Sequence, residues 1–409
     1  MPNRTGSDHA ESDRIGQGRP GPNRAGPARP GTGPSTCPQD LSTGADGRLG
    51  LDRFPGQAQS MPTATPLPTP VRAALAEGGG LVRRRDLLGL DIPRTTISRW
   101  ITQDRLVPLA NGIYADAVVL RSLDPWVRFR LRTKAFLMVS PPNAAAIGWS
   151  AIVLHDMPTV GTPPDVPSAV RPSRTRSGSN RTVNGHTRFG AVPDRWLGEI
   201  DGIRVVHPAF TAVDLGRRVD RLTALIVADA AARRDRSRDS LAGAFADIAE
   251  WPGAGRAAWA VRHADGDAES ALESAGRYAF IRAGLPPSRS NVWVGEYLPE
   301  FRLDHYWAEQ RVGVEADGLA KYRRDPETAM RDEKRREWRL QELGIRVLRY
   351  GWAVALGSPD ALAGQVRLLL DAPAPPPPGR LRTWSGNEGR AVLGLPSGVR
   401  DRPRTLTVR

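Results

Sequence analysis

The sequence predicts a multidomain α/β chain with disordered ends, and three observations carry that prediction. The chain has 409 residues with 40% hydrophobic content, enough for two or three ordinary domains. Between residues 70 and 372, runs of helical period alternate with runs of strand period. The two flanks, 1–69 and 373–409, are dominated by Gly, Pro, Arg and Ser and hold too little apolar surface to offset ordering entropy.

Lys plus Arg number 58 against 44 Asp plus Glu, a net charge of +14, and the pI is near 10.9. That surplus favours a polyanionic partner without choosing among DNA, RNA and lipid. Lys134, Lys321 and Lys334 are the only lysines, so almost all the positive charge is Arg. The single cysteine, Cys37, lies in the first flank, which excludes disulfides within the chain, Cys-ligated zinc and iron–sulfur clusters. A reducing cytoplasm is the expected compartment. No apolar stretch approaches the roughly 20 residues that span a bilayer. The densest, Leu222 to Ala232, is interrupted by Asp229, and the N-terminus lacks the apolar core of a secretory signal, so no membrane partner is expected. Met61 opens the first segment that looks like a protein start, and N-terminal sequencing of native protein checks that expectation.

The first block, 70–119, reads as helix, helix, helix, hairpin. Val71 to Glu77 is closed by Gly78, Gly79 and Gly80, and Arg84 to Leu88 ends near Gly89. Pro93 starts a third helix in which Ile97, Trp100 and Ile101 recur at helical spacing, leaving Arg94, Thr95, Ser98 and Arg99 outward. Two short strands then turn at Asn111–Gly112. This order is a winged helix-turn-helix, and a basic, hydroxyl-rich third helix suits the major groove of double-stranded DNA. The competing reading is a small scaffold for protein contacts.

The second block, 120–235, is α/β with no catalytic constellation. An apolar helix-like run covers Asn143 to Pro158, and a helix is expected from Leu222 to Arg234. His155, His186 and His207 lack metal-ligand spacing and read as structural. Thr211 and Asp214 read as caps at a helix start. The helix–hairpin head, the run Ala-Ala-Ala-Ile-Gly-Trp149-Ser and His207-Pro-Ala-Phe-Thr-Ala-Val-Asp214-Leu together resemble antitoxins of type IV abortive-infection toxin–antitoxin systems. The resemblance implies a DNA-binding regulator that represses its own operon and counters a partner toxin.

Residues 236–267 read as a helical connection to the third block, 268–372. There a helix from Ala268 to Ala283 precedes strands at 291–297, 300–307 and 311–317, a helix at 326–343, a strand at 345–350 and a final helix near 360–370. Glu315 and Asp317 share one strand face. A turn at Glu309–Gln310 places Asp304 opposite Glu315, so three carboxylates converge. Such a group is costly without a cation, and Mg²⁺, or Mn²⁺ in its place, would remove the cost and activate water against a phosphodiester. Lys321 and Lys334 lie nearby to orient water or neutralise charge, and Arg331, Arg335 and Arg339 on the following helix are candidate phosphate contacts.

Asp304 in Arg-Leu-Asp-His-Tyr-Trp, Glu315 and Asp317 in Val-Glu-Ala-Asp-Gly, Lys334 in Glu-Lys-Arg-Arg-Glu and the run Gly344-Ile-Arg-Val-Leu-Arg349 resemble the very-short-patch-repair-like branch of the PD-(D/E)XK nucleases. The resemblance implies a restriction-endonuclease-like mixed sheet, with Glu273 on the first helix as a further acidic residue. The family's usual lysine two residues after the glutamate is Asp317 here. His305 neighbours the site and is expected on the other sheet face. The sequence thus supports a DNA-binding regulator carrying an Mg²⁺-dependent endonuclease domain. Its alternative is a non-enzymatic repressor or antitoxin whose nuclease fold serves binding.

Overall fold

The computed structural model describes residues 66–235, 237–317, 326–375 and 379–395. All of them fall within one compact unit, Met61–Arg409. The expected N-terminal tail up to 65, Met61 and Lys321 lie outside the described residues. The described residues are mixed α/β, with three sheets among them.

The first block begins with α1 (Thr69–Glu77), β1 (Val82–Arg83), α2 (Arg84–Gly89) and α3 (Arg94–Thr102). The hairpin β2 (Leu106–Ala110) and β3 (Ile113–Asp116) follows, and the antiparallel sheet runs β1-β3-β2. Gly112, at φ +71°, supplies the left-handed turn residue that Asn111–Gly112 announces. Val71, Leu75, Leu87, Ile97, Trp100, Leu106 and Tyr114 make one apolar cluster. A second cluster joins Leu109, Ile113 and Leu120 to Ala135, so the hairpin's other side rests on the helices that come next. Those are α4 (Ala117–Ser122) and α5 (Pro125–Met138). The Asp116 side chain accepts from Val118 N–H at 2.9 Å, and Asp124 accepts from Trp126 N–H at 2.8 Å with Pro125 at the first helical position.

The expected apolar helix at 143–158 is instead β4 (Ala145–Ala146) followed by the short α6 (Trp149–Leu154). Gly148, at φ +59°, breaks the run between them. Then come β5 (Ser168–Pro172), β6 (Ser179–Arg181), β7 (His186–Gly190), a 3₁₀ turn at Asp194–Trp196, β8 (Leu197–Ile200) and β9 (Ile203–Val206). They form a six-stranded sheet in the order β6-β7-β5-β4-β9-β8, parallel at β5–β7 and β4–β9. Helices α7 (Pro208–Gly216), α8 (Arg221–Asp235), α9 (Asp239–Ala246) and α10 (Ala254–His263) contribute to a core shared with that sheet through Val170, Val206, Phe210, Val227 and Leu241. No helix among the described residues is long and apolar enough to cross a membrane. The apolar run at 222–232 becomes α8, and its Asp229 is a buried acceptor. It takes hydrogen bonds from Arg277 at 2.5 Å, Ser274 Oγ at 2.7 Å and Asp265 N–H at 2.8 Å, which ties α8 to the helix at Ala271–Arg282.

The last block follows the expected order: α11 (Ala271–Arg282), β10 (Arg289–Gly295), β11 (Phe301–Trp307), β12 (Val312–Ala316), α12 (Pro326–Glu342), β13 (Arg346–Tyr350), α13 (Trp352–Gly357) and α14 (Pro359–Asp371). The segment at 373–409, expected to be solvated throughout, contributes β14 (Arg382–Trp384) and α15 (Gly386–Val392). Trp384 pairs with Trp293, and Leu381 joins the core cluster of Val292 and Leu303, so enough apolar surface is buried to order this part. The sheet runs β13-β12-β11-β10-β14, with only β12–β13 parallel. One face carries α11, α13 and α14 over Val312, Val314 and Tyr350. The other packs Leu340 and Leu343 over Val292, Leu303 and Tyr306. Gly276 on α11 allows the Tyr350 ring its place, since a Cβ there would stand 2.1 Å from the phenol oxygen. Tyr350 is buried and hydrogen-bonded, so it has no room to retreat. Gly276→Ala is therefore expected to destabilise the protein by about 1–3 kcal/mol, read as a lower denaturant midpoint at unchanged slope.

Candidate functional site

Two surfaces hold the residues with chemistry. On α3, Ile97 and Trp100 are buried, while Arg94, Thr95, Ser98 and Arg99 are exposed along the opposite side. Pro93 stands at the N-cap with extended backbone, which projects the first turn of α3 away from α2. Arg84, at the start of α2, donates to the Tyr114 hydroxyl at 3.1 Å and braces the hairpin against the helices. The result is a rigid helix whose outer face offers two guanidiniums and two hydroxyls.

The second surface lies at the end of the β11–β12 hairpin. His305 pairs with Val314, Tyr306 with Gly313 and Trp307 with Val312, the register that the expected turn requires, and this ladder stops short of Asp304 and Glu315. The Ala316 N–H donates to Asp304 Oδ2 at 2.7 Å. Strand alternation breaks at Asp304: Leu303 packs toward Leu340, whereas His305, only two residues on, packs toward Phe280 and Tyr350. Asn291 on the neighbouring strand, at φ +51°, shares the irregularity, and asparagine tolerates that conformation better than most side chains. His305 thus lies on the α11 side of the sheet, away from Glu315, as the sequence implied. It is fully buried, and burial pushes its pKa down to about 3, so it stays neutral.

Glu273 sits in the first turn of α11, whose N-cap Ser270 Oγ accepts from Glu273 N–H at 3.1 Å. Its carboxylate is buried and accepts from Glu269 N–H at 2.8 Å and from Asn291 Nδ2 at 2.7 Å. Burial first, and then the charge of Asp304, push the Glu273 pKa up to about 8. Burial and the same two carboxylates raise that of Tyr350 as well. Glu273 and the Tyr350 hydroxyl therefore both lie within the field of Asp304, and His305 Nε2 contacts the Tyr350 hydroxyl at 3.0 Å.

Glu315 is differently engaged. It is buried, and its oxygens accept from Arg336 on α12 and from Arg349 Nε, the latter at 3.2 Å, with Arg349 beside it in the parallel register. Arg349 also pairs with Glu333. Asp317 follows the last residue of β12, and its backbone N–H donates to Tyr350 O at 2.8 Å. Among the described residues, no group of three or more His, Cys, Asp and Glu side chains is placed to hold a metal ion. The arrangement departs from the three-carboxylate Mg²⁺ or Mn²⁺ site that Asp304, Glu315 and Asp317 led us to expect. The charge of Asp304 acts on Glu273, but two guanidiniums already neutralise Glu315. Lys334, Arg331 and Arg335 are exposed on α12. Arg339, by contrast, is bound by Glu300 at 2.9 Å, Glu342 at 3.1 Å and Glu296 at 3.3 Å, which leaves little of it for a phosphate. Asn291 and Tyr350 were not singled out from sequence, and neither Arg336 nor Arg349 was expected as a partner of Glu315. Arg349 becomes a partner of Glu315 only through the parallel β12–β13 register, which no local spacing announces.

A further charged centre stands in the middle block, where Asp214 and Thr211 were expected to cap a helix. The cap of α7 is His207, whose Nδ1 accepts from Ala209 N–H at 3.3 Å. Thr211 Oγ1 donates to Val206 O at 3.1 Å. Asp214, 1% exposed, binds Arg217 at 2.6 Å, Arg188 at 2.8 Å and Arg218 at 3.1 Å. Asp214→Ala would strand the buried Arg217 guanidinium and remove the partner that Arg188 and Arg218 share, and a loss of about 3–5 kcal/mol in chemical denaturation is the expected result.

No family model matches the chain. Two proteins of Mycobacterium tuberculosis do match: the uncharacterized protein MT2308 of strain CDC 1551 / Oshkosh and the uncharacterized protein Rv2248 of strain ATCC 25618 / H37Rv. Each is 32% identical over 189 residues, which is 46% of this chain and 67% of the relative. The chain belongs to the same family as these two mycobacterial proteins.

Proposed function

We propose that this protein is a DNA-binding regulator of the antitoxin type, in which the first block acts as a winged helix-turn-helix. The observation that carries the reading is the one-sidedness of α3: Ile97 and Trp100 anchor it, and Arg94, Thr95, Ser98 and Arg99 face outward toward base edges and phosphates. The β2–β3 hairpin is the wing, and the +14 net charge supplies long-range attraction to the duplex. In this reading the last block keeps a restriction-endonuclease-like order of elements for binding, with Lys334, Arg331 and Arg335 toward the backbone. The donor set does not fit Mg²⁺, because Glu315 is held by Arg336 and Arg349, so no chemical step is assigned to a metal. The antitoxin resemblance adds a partner toxin, tested by co-purification with the product of the adjacent gene.

A metal-dependent nuclease is the second reading, favoured by the approach of Glu273 to Asp304. One set of measurements separates the two. Full-length protein is titrated into a labelled duplex from its own upstream region across a salt series, and supercoiled plasmid is incubated with the protein in Mg²⁺, Mn²⁺ or EDTA. Regulator function predicts tight, salt-dependent binding with intact plasmid in every arm. Cleavage that requires the metal and disappears in Glu315→Ala would establish the nuclease instead, and absence of duplex binding would overturn both.

A further inference from the structure

We propose that the open end of the middle sheet carries a phosphate-ester site built from Arg181, His186, Arg188 and Arg218. The strands place these residues together. His186 and Arg188 are two apart on β7 and share one face, Arg181 lies opposite His186 on β6, and Ser168 lies beside His186 on β5. That face turns toward α7, where Arg188 meets Asp214. Arg218 reaches the same carboxylate from just beyond the end of α7.

The charges do not cancel. One buried carboxylate, Asp214, faces three guanidiniums, which leaves a surplus of two positive charges. Arg217 donates from Nη1 to Pro252 O, lies over the Trp251 ring and is the buried member of the three. Arg188 and Arg218 are the members with solvent access, at 20% and 48% side-chain exposure. Beside them a pocket of about 420 Å³ opens between the loop at Thr162–Val166 and the strands, lined by Ser168, Arg181 and His186. That size suits a small ligand. Among the described residues, Asp165 is the only carboxylate in its lining, and it is 94% exposed and 4.0 Å from Arg181, too loose a pair to neutralise it. Burial, and then the charges of Arg181, Arg188 and Arg218, hold the His186 pKa below its ordinary value. A neutral imidazole and a serine hydroxyl offer directional hydrogen bonds, and convergent guanidiniums offer charge. Together they match the oxygens of a phosphate ester.

The phosphate could belong to a free nucleotide or to the backbone of bound DNA, and the two are separable. Full-length protein and Arg181→Glu are titrated calorimetrically with inorganic pyrophosphate and with 5′-AMP at low salt, and both proteins are then titrated with a labelled duplex across a salt series. Arg181 is 64% exposed on an edge strand, so the substitution leaves the core intact, and the unfolding midpoint checks this. A free-nucleotide site predicts binding of pyrophosphate or AMP that weakens at least tenfold in Arg181→Glu, with duplex affinity within twofold of the parent protein. A backbone site predicts weaker duplex binding and a salt slope shallower by about one. The proposal is overturned if neither small ligand binds and the duplex affinity and slope are unchanged. Variants of Arg94 and Arg99 report on the major-groove reading separately, so either idea can fail alone.

Discussion

Arg94→Ala combined with Arg99→Ala is expected to weaken duplex binding by at least about 30-fold while leaving the fold intact. A guanidinium that bonds bidentately to a base edge contributes about 1–3 kcal/mol of discrimination, and two such contacts together reach about 2–6 kcal/mol. If either arginine contacts a phosphate instead, the salt slope falls by about one per contact. Both side chains are exposed, and Ile97 and Trp100 hold the helix from its other side, so stability should change by no more than about 0.5 kcal/mol. Thr95→Ala and Ser98→Ala should act more on preference among sequences than on overall affinity. Fluorescence anisotropy on specific and scrambled duplexes measures all of these effects. A double variant that binds like the parent protein would place the contact surface elsewhere and remove the observation on which the regulator reading stands.

What could be read from sequence depends on how local the determining interaction is. The α2–α3–hairpin segment was legible because each boundary has its own signal: Gly89 at the end of α2, Pro93 before α3, Asn111–Gly112 between the strands. The β11–β12 register was legible for a similar reason, since a short hairpin fixes register by counting. The environment of Glu315 was not. Arg349 meets Glu315 through a parallel pairing made across a helical crossover, and Arg336 meets it through the way α12 lies on the sheet. Neither contact leaves a trace in the spacing of residues. Asp214 misled for the opposite reason. An acidic residue close after Thr211 looks like a cap, but its three partners come from β7, from α7's end and from the turn after it, and burial converts it into a charge centre. The ordering of 382–392 also escaped, because a three-residue edge strand and one helix are held by Trp293 and Leu303 from another part of the chain.

Glu273→Gln is expected to flatten the pH dependence of stability and to leave the protein more stable than the parent at pH 9. Glu273 has an ordinary pKa near 4.5, and burial together with the charge of Asp304 raises it to about 8 in the folded protein. Between those two values the folded state holds a proton that the unfolded chain has released. Stability therefore falls as pH rises: the contribution is fully present below about 4.5, declines across the interval, and is lost once pH passes about 8. A tenfold difference in proton affinity between the folded and unfolded chain corresponds to about 1.4 kcal/mol, so the effect is on the order of a few kcal/mol. Glutamine keeps an acceptor oxygen for Glu269 N–H and Asn291 Nδ2 and carries no charge at any pH, which removes the repulsion from Asp304. Denaturant unfolding of both proteins from pH 5 to pH 9 should give curves that meet at the acidic end and separate toward the basic end, the variant lying higher. Since both proteins share every other titrating group, the difference between the curves isolates this one. Parallel curves would mean that Glu273 ionises at its ordinary pH and that it and Asp304 do not share a buried site. A divalent cation bound between the two carboxylates would displace the proton, so the parent's decline with pH should flatten in Mg²⁺ or Mn²⁺ only under the nuclease reading. An unchanged decline in both metals is the result that the engagement of Glu315 by Arg336 and Arg349 leads us to expect.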